Sequence, residues 1–88
     1  MTTSTATVTI RYFAAARAAA GVETEPLALP DGATVDDVLA AARARHGAEL
    51  ARVLDRCSFL LDEVAVRDRA TAVPAGATVD VLPPFAGG

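Results

Sequence analysis

The sequence contains no lysine and no tryptophan, and it has only one cysteine, Cys57. A single thiol cannot form an internal disulfide and cannot by itself bind a metal ion, so no metal site is predicted. We expect Cys57 to be a small buried hydrophobic residue.

No apolar run reaches the roughly eighteen residues that a bilayer-spanning helix needs, and residues 1–5 lack the basic and apolar segments of a signal peptide. The sequence therefore predicts a cytoplasmic protein without a membrane partner.

The charge balance is acidic. All basic residues are arginines, and with 8 of them against 11 acidic residues the formal net charge is −3. Binding of nucleic acid through a basic patch is therefore not expected, whereas an approach to a positively charged protein surface is compatible with this charge. With 88 residues the chain can build one modest core, so we predict a single domain over residues 1–88.

Alternation of apolar and polar residues predicts the strands. In the first strand, residues 7–13, the side chains that face one way are Val8, Ile10 and Tyr12. The opposite face carries Thr9, Arg11 and Phe13. Further strands are predicted at 23–29, 57–61, 64–67 and 78–82. Pro26 confines the second of the five to a sheet edge, because proline cannot donate to a neighbouring strand.

The main helix is predicted to begin after Thr34, whose hydroxyl can accept a hydrogen bond from the amide of Asp37. Apolar residues that repeat at helical spacing follow it: Val35, Val38, Leu39 and Ala42. Gly47 ends the helix, and His46 in its last turn is expected to be solvated. Shorter helical segments are predicted at 14–20 and around 50–54.

Together these elements predict an α+β protein in which a mixed sheet of about five strands carries one main helix on one face. The other face is then exposed, and a partner-binding patch is expected there, formed by Phe13, Val66, Leu82 and Phe85. The adjacent carboxylates of Asp62 and Glu63 are predicted to be a solvated hairpin tip. No nucleophile, base and orienting group converge in the sequence, so an enzyme acting alone is not expected.

Residues 83–88 are predicted to form an extended C-terminal tail. Pro83 and Pro84 fix φ and remove two backbone donors, so the preceding strand cannot continue through them. Gly87 and Gly88 carry no Cβ and can enter a narrow cleft of a partner. Two prolines, the aromatic Phe85 and two glycines in six residues favour a functional tail over a frayed end.

The order of the elements and the ending Val81-Leu-Pro-Pro-Phe-Ala-Gly-Gly88 resemble the ubiquitin-like β-grasp sulfur carriers, most closely the small subunit of molybdopterin synthase. The segment Tyr12-Phe-Ala-Ala-Ala-Arg17-Ala-Ala-Ala-Gly21 is similar to that family's Phe-Ala-x-x-Arg-Glu-x-x-Gly, with Ala18 where the family usually has glutamate. The resemblance covers nearly the whole chain from Thr7 and implies a β-grasp fold.

The resemblance also implies a carrier chemistry. A ubiquitin-activating-like adenylyltransferase would use ATP to join the Gly88 carboxylate to AMP, and a persulfide would act as the sulfur donor that converts it to a thiocarboxylate. The large subunit of molybdopterin synthase would receive the tail, while this chain binds no cofactor and is not catalytic alone. Gly87 would give clearance, Pro83 and Pro84 would aim the tail, and Arg17 would pair with a partner carboxylate or simply be solvated.

Three other functions stay open on the sequence. A sulfur carrier for thiamine or cysteine biosynthesis would use the same tail chemistry with a different acceptor. A non-carrier interaction module of ubiquitin-like shape would not need the tail. Protein conjugation through Gly88 would form an isopeptide bond with a lysine of the target.

Overall fold

Five strands and three helices make up the part of the chain that the computed structural model describes, residues 5–84. In chain order they are β1 (Thr5–Tyr12), α1 (Ala14–Ala20), β2 (Thr24–Pro30), α2 (Val35–His46), α3 (Ala48–Leu54), β3 (Ser58–Leu61), β4 (Val64–Ala65) and β5 (Thr78–Leu82). Every strand and helix predicted from the sequence is confirmed, with small shifts at the ends. The fourth strand is shorter than predicted and stops at Ala65, although the Val66 amide still donates to the Phe59 carbonyl at 2.9 Å.

The strands form one sheet in the order β2-β1-β5-β3-β4. The inner strands are β1, β5 and β3. The pair β1 and β5 runs parallel, and the other three pairings are antiparallel, so the sheet is mixed as predicted. The strand β2 lies at an edge of the sheet, as predicted. Pro26 has no N–H group to donate, and at an edge no second neighbouring strand needs that donor. The first and last strands of the chain therefore lie side by side in the middle of the sheet.

All three helices pack against one face of the sheet. Inward side chains of β1, β3 and β5 share one core cluster with side chains from each helix. The helices contribute Ala16, Ala20, Val35, Val38, Leu39, Ala42, Leu50 and Leu54. The predicted bond at the start of α2 is present, because the Thr34 hydroxyl accepts from the Asp37 amide. The Asp37 carboxylate also accepts from the Thr34 amide, which completes a capping box.

Two turns of the same sequence type lead into different elements. In each, an amide three residues after a proline donates to the carbonyl of that proline at 3.1 Å: Ala33 to Pro30, and Ala77 to Pro74. The third residue of each turn is a glycine with a φ above 80°, a backbone conformation that residues with a side chain rarely adopt. The first turn leads to α2 and the second to β5, so the similar sequences 29–36 and 73–80 are two turns of one type and not a structural repeat.

The hairpin between β3 and β4 turns through two residues that are not glycine. Asp62 and Glu63 have φ values of 45° and 70°, the left-handed pair that a two-residue hairpin turn requires. Both residues are exposed, as expected of a hairpin tip. Asp62 also has a structural contact, because its Oδ1 accepts a hydrogen bond from the Thr78 amide at 2.9 Å and ties the turn to β5.

The prediction for His46 is wrong. Its side chain is 15 % exposed, and its Nε2 lies 2.5 Å from Oε2 of Glu25 on β2. The Tyr12 hydroxyl donates to the same oxygen at 2.5 Å, and Arg45 Nε lies 3.1 Å from the other oxygen. The sequence prediction missed this contact because β2 and α2 are separate in the chain, and only their packing brings His46 over Glu25.

Glu25 is ionised in this cluster. Burial disfavours the charged carboxylate, but hydrogen bonds from Tyr12 and His46, and the charges of His46 and Arg45, outweigh burial and lower the pKa of Glu25. Burial and the hydrogen bond to Glu25 raise the pKa of Tyr12, so its hydroxyl stays protonated. Because an ionised carboxylate only accepts hydrogen bonds, His46 Nε2 carries the hydrogen of its contact. The cluster therefore ties β1, β2 and α2 together.

Cys57 is buried, and its thiol donates to the Val53 carbonyl at 3.1 Å. Burial raises the pKa of this thiol, which keeps it neutral and weakly nucleophilic. Its predicted role as a small buried hydrophobic residue is confirmed.

Candidate functional site

The parallel strands β1 and β5 end at the same edge of the sheet. Their last pair in register is Tyr12 with Val81, and one residue further the Phe13 amide donates to the Val81 carbonyl at 3.2 Å. Pro83 and Pro84 follow Leu82, the last residue of β5, and Pro83 is half-buried whereas Pro84 is exposed. The start of the predicted tail thus lies beside Phe13, because both strands run in the same direction.

Within residues 5–84 the helices lie on one face of the sheet, and the opposite face is called the open face. Side chains alternate along strands, and the inward residues of β1 and β5 belong to the core, so their neighbours in sequence point to the open face. At the end nearest the tail these are Phe13, which is 36 % exposed, and the half-buried Leu82. The two residues therefore lie on one side of the sheet at one end, as the sequence predicted.

Leu60 also lies on the open face, and the sequence prediction missed it. It pairs with Asp80 across β3 and β5, and the next pair on the same face, two residues along the strands, joins Ser58 to Leu82. The run Phe59-Leu60-Leu61 has no polar residue to mark which side faces out, so periodicity alone could not assign Leu60. Strand pairing does so, and Leu60 extends the apolar patch from Phe13 and Leu82.

The structure contradicts the placement of Val66 in this patch. The bond from the Val66 amide to the Phe59 carbonyl puts Val66 opposite Phe59, which is 5 % exposed and faces the helices. Val66 is half-buried and packs against the core cluster. The sequence prediction assigned Val66 by its apolar character, but the hairpin register turns its side chain to the covered face.

An ion pair occupies the middle of the open face. Arg11 binds Asp80 through two parallel hydrogen bonds, Nε to Oδ1 at 2.8 Å and Nη2 to Oδ2 at 2.9 Å. These hydrogen bonds, and the charge of Asp80, raise the pKa of Arg11. The sequence predicted Arg11 on this face but not its contact with Asp80, since the two residues are 69 positions apart in the chain.

Arg17 lies on α1 and its side chain is 60 % exposed. Its Nη2 is 3.9 Å from a carboxylate oxygen of Glu23, a separation at which a surface ion pair contributes little. The guanidinium is therefore accessible to a partner, and its predicted role in partner binding stays a prediction.

Three predicted site residues, Phe85, Gly87 and Gly88, lie outside the described residues. Within residues 5–84, no group of three or more histidine, cysteine or acidic residues could hold a metal ion. In the same range no helix is long and apolar enough to cross a membrane. The cluster of Tyr12, Glu25 and His46 has acid–base groups, but Tyr12 is 1 % and Glu25 6 % exposed, so no substrate reaches them.

Comparison with known proteins gives consistent matches over nearly the whole chain. Residues 10–88 match the model of the ThiS family. The molybdopterin synthase sulfur carrier subunit of Chlamydomonas reinhardtii is 38 % identical over 82 residues, which are 92 % of this chain and 98 % of the relative.

Two solved structures share the architecture. SAMP1 from Haloferax volcanii has a TM-score of 0.83 at 28 % identity, with 93 % of this chain and 99 % of that chain covered. The putative molybdopterin converting factor subunit 1 from Pyrococcus furiosus has a TM-score of 0.81 at 27 % identity, with 91 % and 99 % covered. These likenesses confirm the predicted β-grasp, ubiquitin-like fold.

Proposed function

Because the chain belongs to the ThiS family, we propose that it is the sulfur-carrying small subunit of molybdopterin synthase. The name of the Chlamydomonas reinhardtii relative supports this assignment, since that protein is a sulfur carrier subunit of the same enzyme. The observation that carries the proposal is the common end of β1 and β5, where Pro83 and Pro84 lead away beside the exposed ring of Phe13. A partner that binds the apolar patch would thus be next to the tail.

The chemistry that we propose takes place at the carboxyl group of Gly88. A ubiquitin-activating-like adenylyltransferase joins this carboxylate to the α-phosphate of ATP, which releases pyrophosphate and gives an acyl adenylate. A persulfide displaces AMP and forms an acyl disulfide. A thiol then attacks the outer sulfur, so the S–S bond breaks and a thiocarboxylate remains at Gly88. The net change is one oxygen atom replaced by one sulfur atom.

The chain itself supplies the sulfur-bearing group and the docking surface. Gly87 leaves space for the tail in a narrow cleft, and the prolines direct it there. Phe13, Leu60 and Leu82 contact the large subunit, and Arg17 pairs with a carboxylate of a partner. The catalytic groups come from the large subunit, no cofactor is bound by this chain, and the reaction takes place in the cytoplasm.

The experiment that tests the proposal is intact-mass analysis of the purified chain. After incubation with the adenylyltransferase of the same organism, ATP and a persulfide donor, the mass should rise by one oxygen-to-sulfur exchange. A reaction without ATP is the control, because the free carboxylate is not electrophilic enough to react. The activity of the adenylyltransferase is first checked on another sulfur carrier. If the enzyme modifies that carrier but the mass of this chain does not change, the sulfur-carrier role is refuted.

Gly88→Ala tests the role of the terminal glycine. An added methyl group must enter the cleft that accepts the tail, so we expect sulfur transfer to fall sharply while the melting temperature is nearly unchanged. Transfer at the rate of the unsubstituted chain would show that the terminal residue does not enter a narrow cleft.

Protein conjugation is a second candidate, favoured by the likeness to the small archaeal modifier protein 1 of Haloferax volcanii. In this case the acyl adenylate would react with the amine of a target lysine, releasing AMP and forming an isopeptide bond. Peptide mapping with chymotrypsin, which cleaves after Phe85, would then find a branched Ala-Gly-Gly remnant on lysine in proteins that gain this chain in the cell. A thiocarboxylate without such a remnant would support the carrier function alone.

A further inference from the structure

Asp80 is an acidic residue that is only 3 % exposed although it lies on the open face of the sheet. The strands on either side of β5 cover it, since Arg11 is its partner in register on β1 and Leu60 its partner on β3. A buried carboxylate requires compensation, and Arg11 gives it through two parallel hydrogen bonds. Two bonds from one planar group fix the orientation of the guanidinium as well as its position.

The guanidinium held in this way lies over the ring of Phe13. The distance from Arg11 Cζ to the ring centroid is 5.2 Å, within the range of a cation–π contact. Phe13 does not belong to the core cluster and is 36 % exposed, so core packing does not hold its ring. The contacts therefore run from Asp80 through Arg11 to Phe13, along the open face and toward the start of the tail.

We infer that Arg11 and Asp80 are positioning residues that hold the ring of Phe13 in the orientation in which it docks into the large synthase subunit. The inference rests on the proposed function, which makes Phe13 a docking residue. An exposed aromatic side chain that is already ordered loses less conformational entropy when it binds.

A double-mutant cycle separates this role from simple stabilisation of the fold. The variant Arg11→Gln with Asp80→Asn removes the ion pair without changing the net charge and leaves no buried charge unpaired. Its affinity for the large subunit should be about 3- to 10-fold weaker, the cost of ordering one side chain on binding. In a chain that also carries Phe13→Ala, the same two substitutions should have no further effect on affinity.

The matched control is Arg43→Gln with Asp55→Asn, which removes an ion pair on the helix side of the sheet and also leaves the net charge unchanged. It should leave the affinity for the large subunit unchanged. If the ion-pair variant does not fold, Arg11→Lys is the substitute, because lysine keeps the charge beside Asp80 but lacks the planar group that contacts the ring. An equal loss of affinity with and without Phe13, or no loss in either case, would overturn the inference.

A second measurement needs no partner. In the free chain, nuclear magnetic resonance should show the Arg11 side-chain protons shifted by the ring of Phe13 and one dominant χ1 rotamer for Phe13. Both signatures should disappear in the ion-pair variant. A Phe13 side chain that is equally ordered in the variant would contradict the positioning role. If the wild-type chain shows both signatures but does not bind the large subunit, the proposed function fails and the positioning of the ring stands.

Discussion

Two carboxylates are buried on opposite faces of the same sheet, and their surroundings differ. Glu25 lies on the covered face, where groups from β1 and α2 contact it. Asp80 lies on the open face, and within residues 5–84 its side chain pairs with Arg11, whose own side chain is still 42 % exposed. The carboxylate of Glu25 thus connects several elements of the fold, whereas the carboxylate of Asp80 binds one arginine that is accessible at the surface.

This difference indicates that the two faces of the sheet have different functions. On the covered face, burial of apolar side chains and the cluster around Glu25 stabilise the fold. On the open face, the side chains nearest the tail are accessible to a partner. Substitutions on the covered face should therefore change stability, and those on the open face should change binding.

The largest effect is expected from matched leucine truncations. Leu39→Ala removes a fully buried side chain and should lower the free energy of unfolding by about 2–5 kcal/mol. Leu82→Ala, on the open face, should cost less than about 1 kcal/mol but weaken binding to the large subunit. Urea titration and a binding assay on the folded variants measure both. Equal losses of stability would contradict the assignment of the two faces.

Adjacent residues give a sharper comparison. Tyr12→Phe removes a buried donor to Glu25 and should lower the free energy of unfolding by about 1–3 kcal/mol, with no change in binding. Phe13→Ala should lower the free energy of unfolding by less than about 1 kcal/mol, because the Phe13 ring points to the open face and not to the core. The same substitution should weaken binding to the large subunit. If Tyr12→Phe also weakened binding, the two faces would not be independent.

The pH dependence of stability tests the covered carboxylate. The pKa of Glu25 is lowered below its ordinary value of 4.5 in the folded chain. Its contribution to stability is therefore complete above that value and is lost as the pH falls through the folded pKa. Glu25→Gln should be less stable at neutral pH, and its stability should decrease less on acidification. Parallel curves for the two proteins would show that Glu25 is not the titrating group.

The smallest effect is expected at the hairpin tip. Glu63 has a φ of 70°, which a glycine adopts without strain. Glu63→Gly relieves that strain but increases the freedom of the unfolded chain, so the free energy of unfolding should rise by no more than about 1 kcal/mol. Thermal unfolding measures the change. A clear loss of stability would instead show that the Glu63 side chain makes a stabilising contact.

Most of the fold could be predicted from the sequence because its signals are local. The alternation in β1, the capping box at Thr34 and the proline–glycine turns each act within a few residues. The placement of Phe13 and Leu82 on one face followed from the same alternation. Leu60 and Val66 could not be placed correctly, since an unbroken apolar run and a two-residue strand do not show which side faces the helices.

The sequence by itself determined the elements and the departure of residues 83 and 84 from the last strand, because each depends on propensity, periodicity or backbone restriction. The β-grasp fold was implied by the family resemblance and not by these local signals. Only the tertiary structure decided which charges are paired. Arg11 and Asp80 are 69 positions apart, and His46 and Glu25 are 21 apart, so neither pair has a local signal. Each pair forms because strand order and helix packing bring distant residues together, and burial then makes the contact necessary.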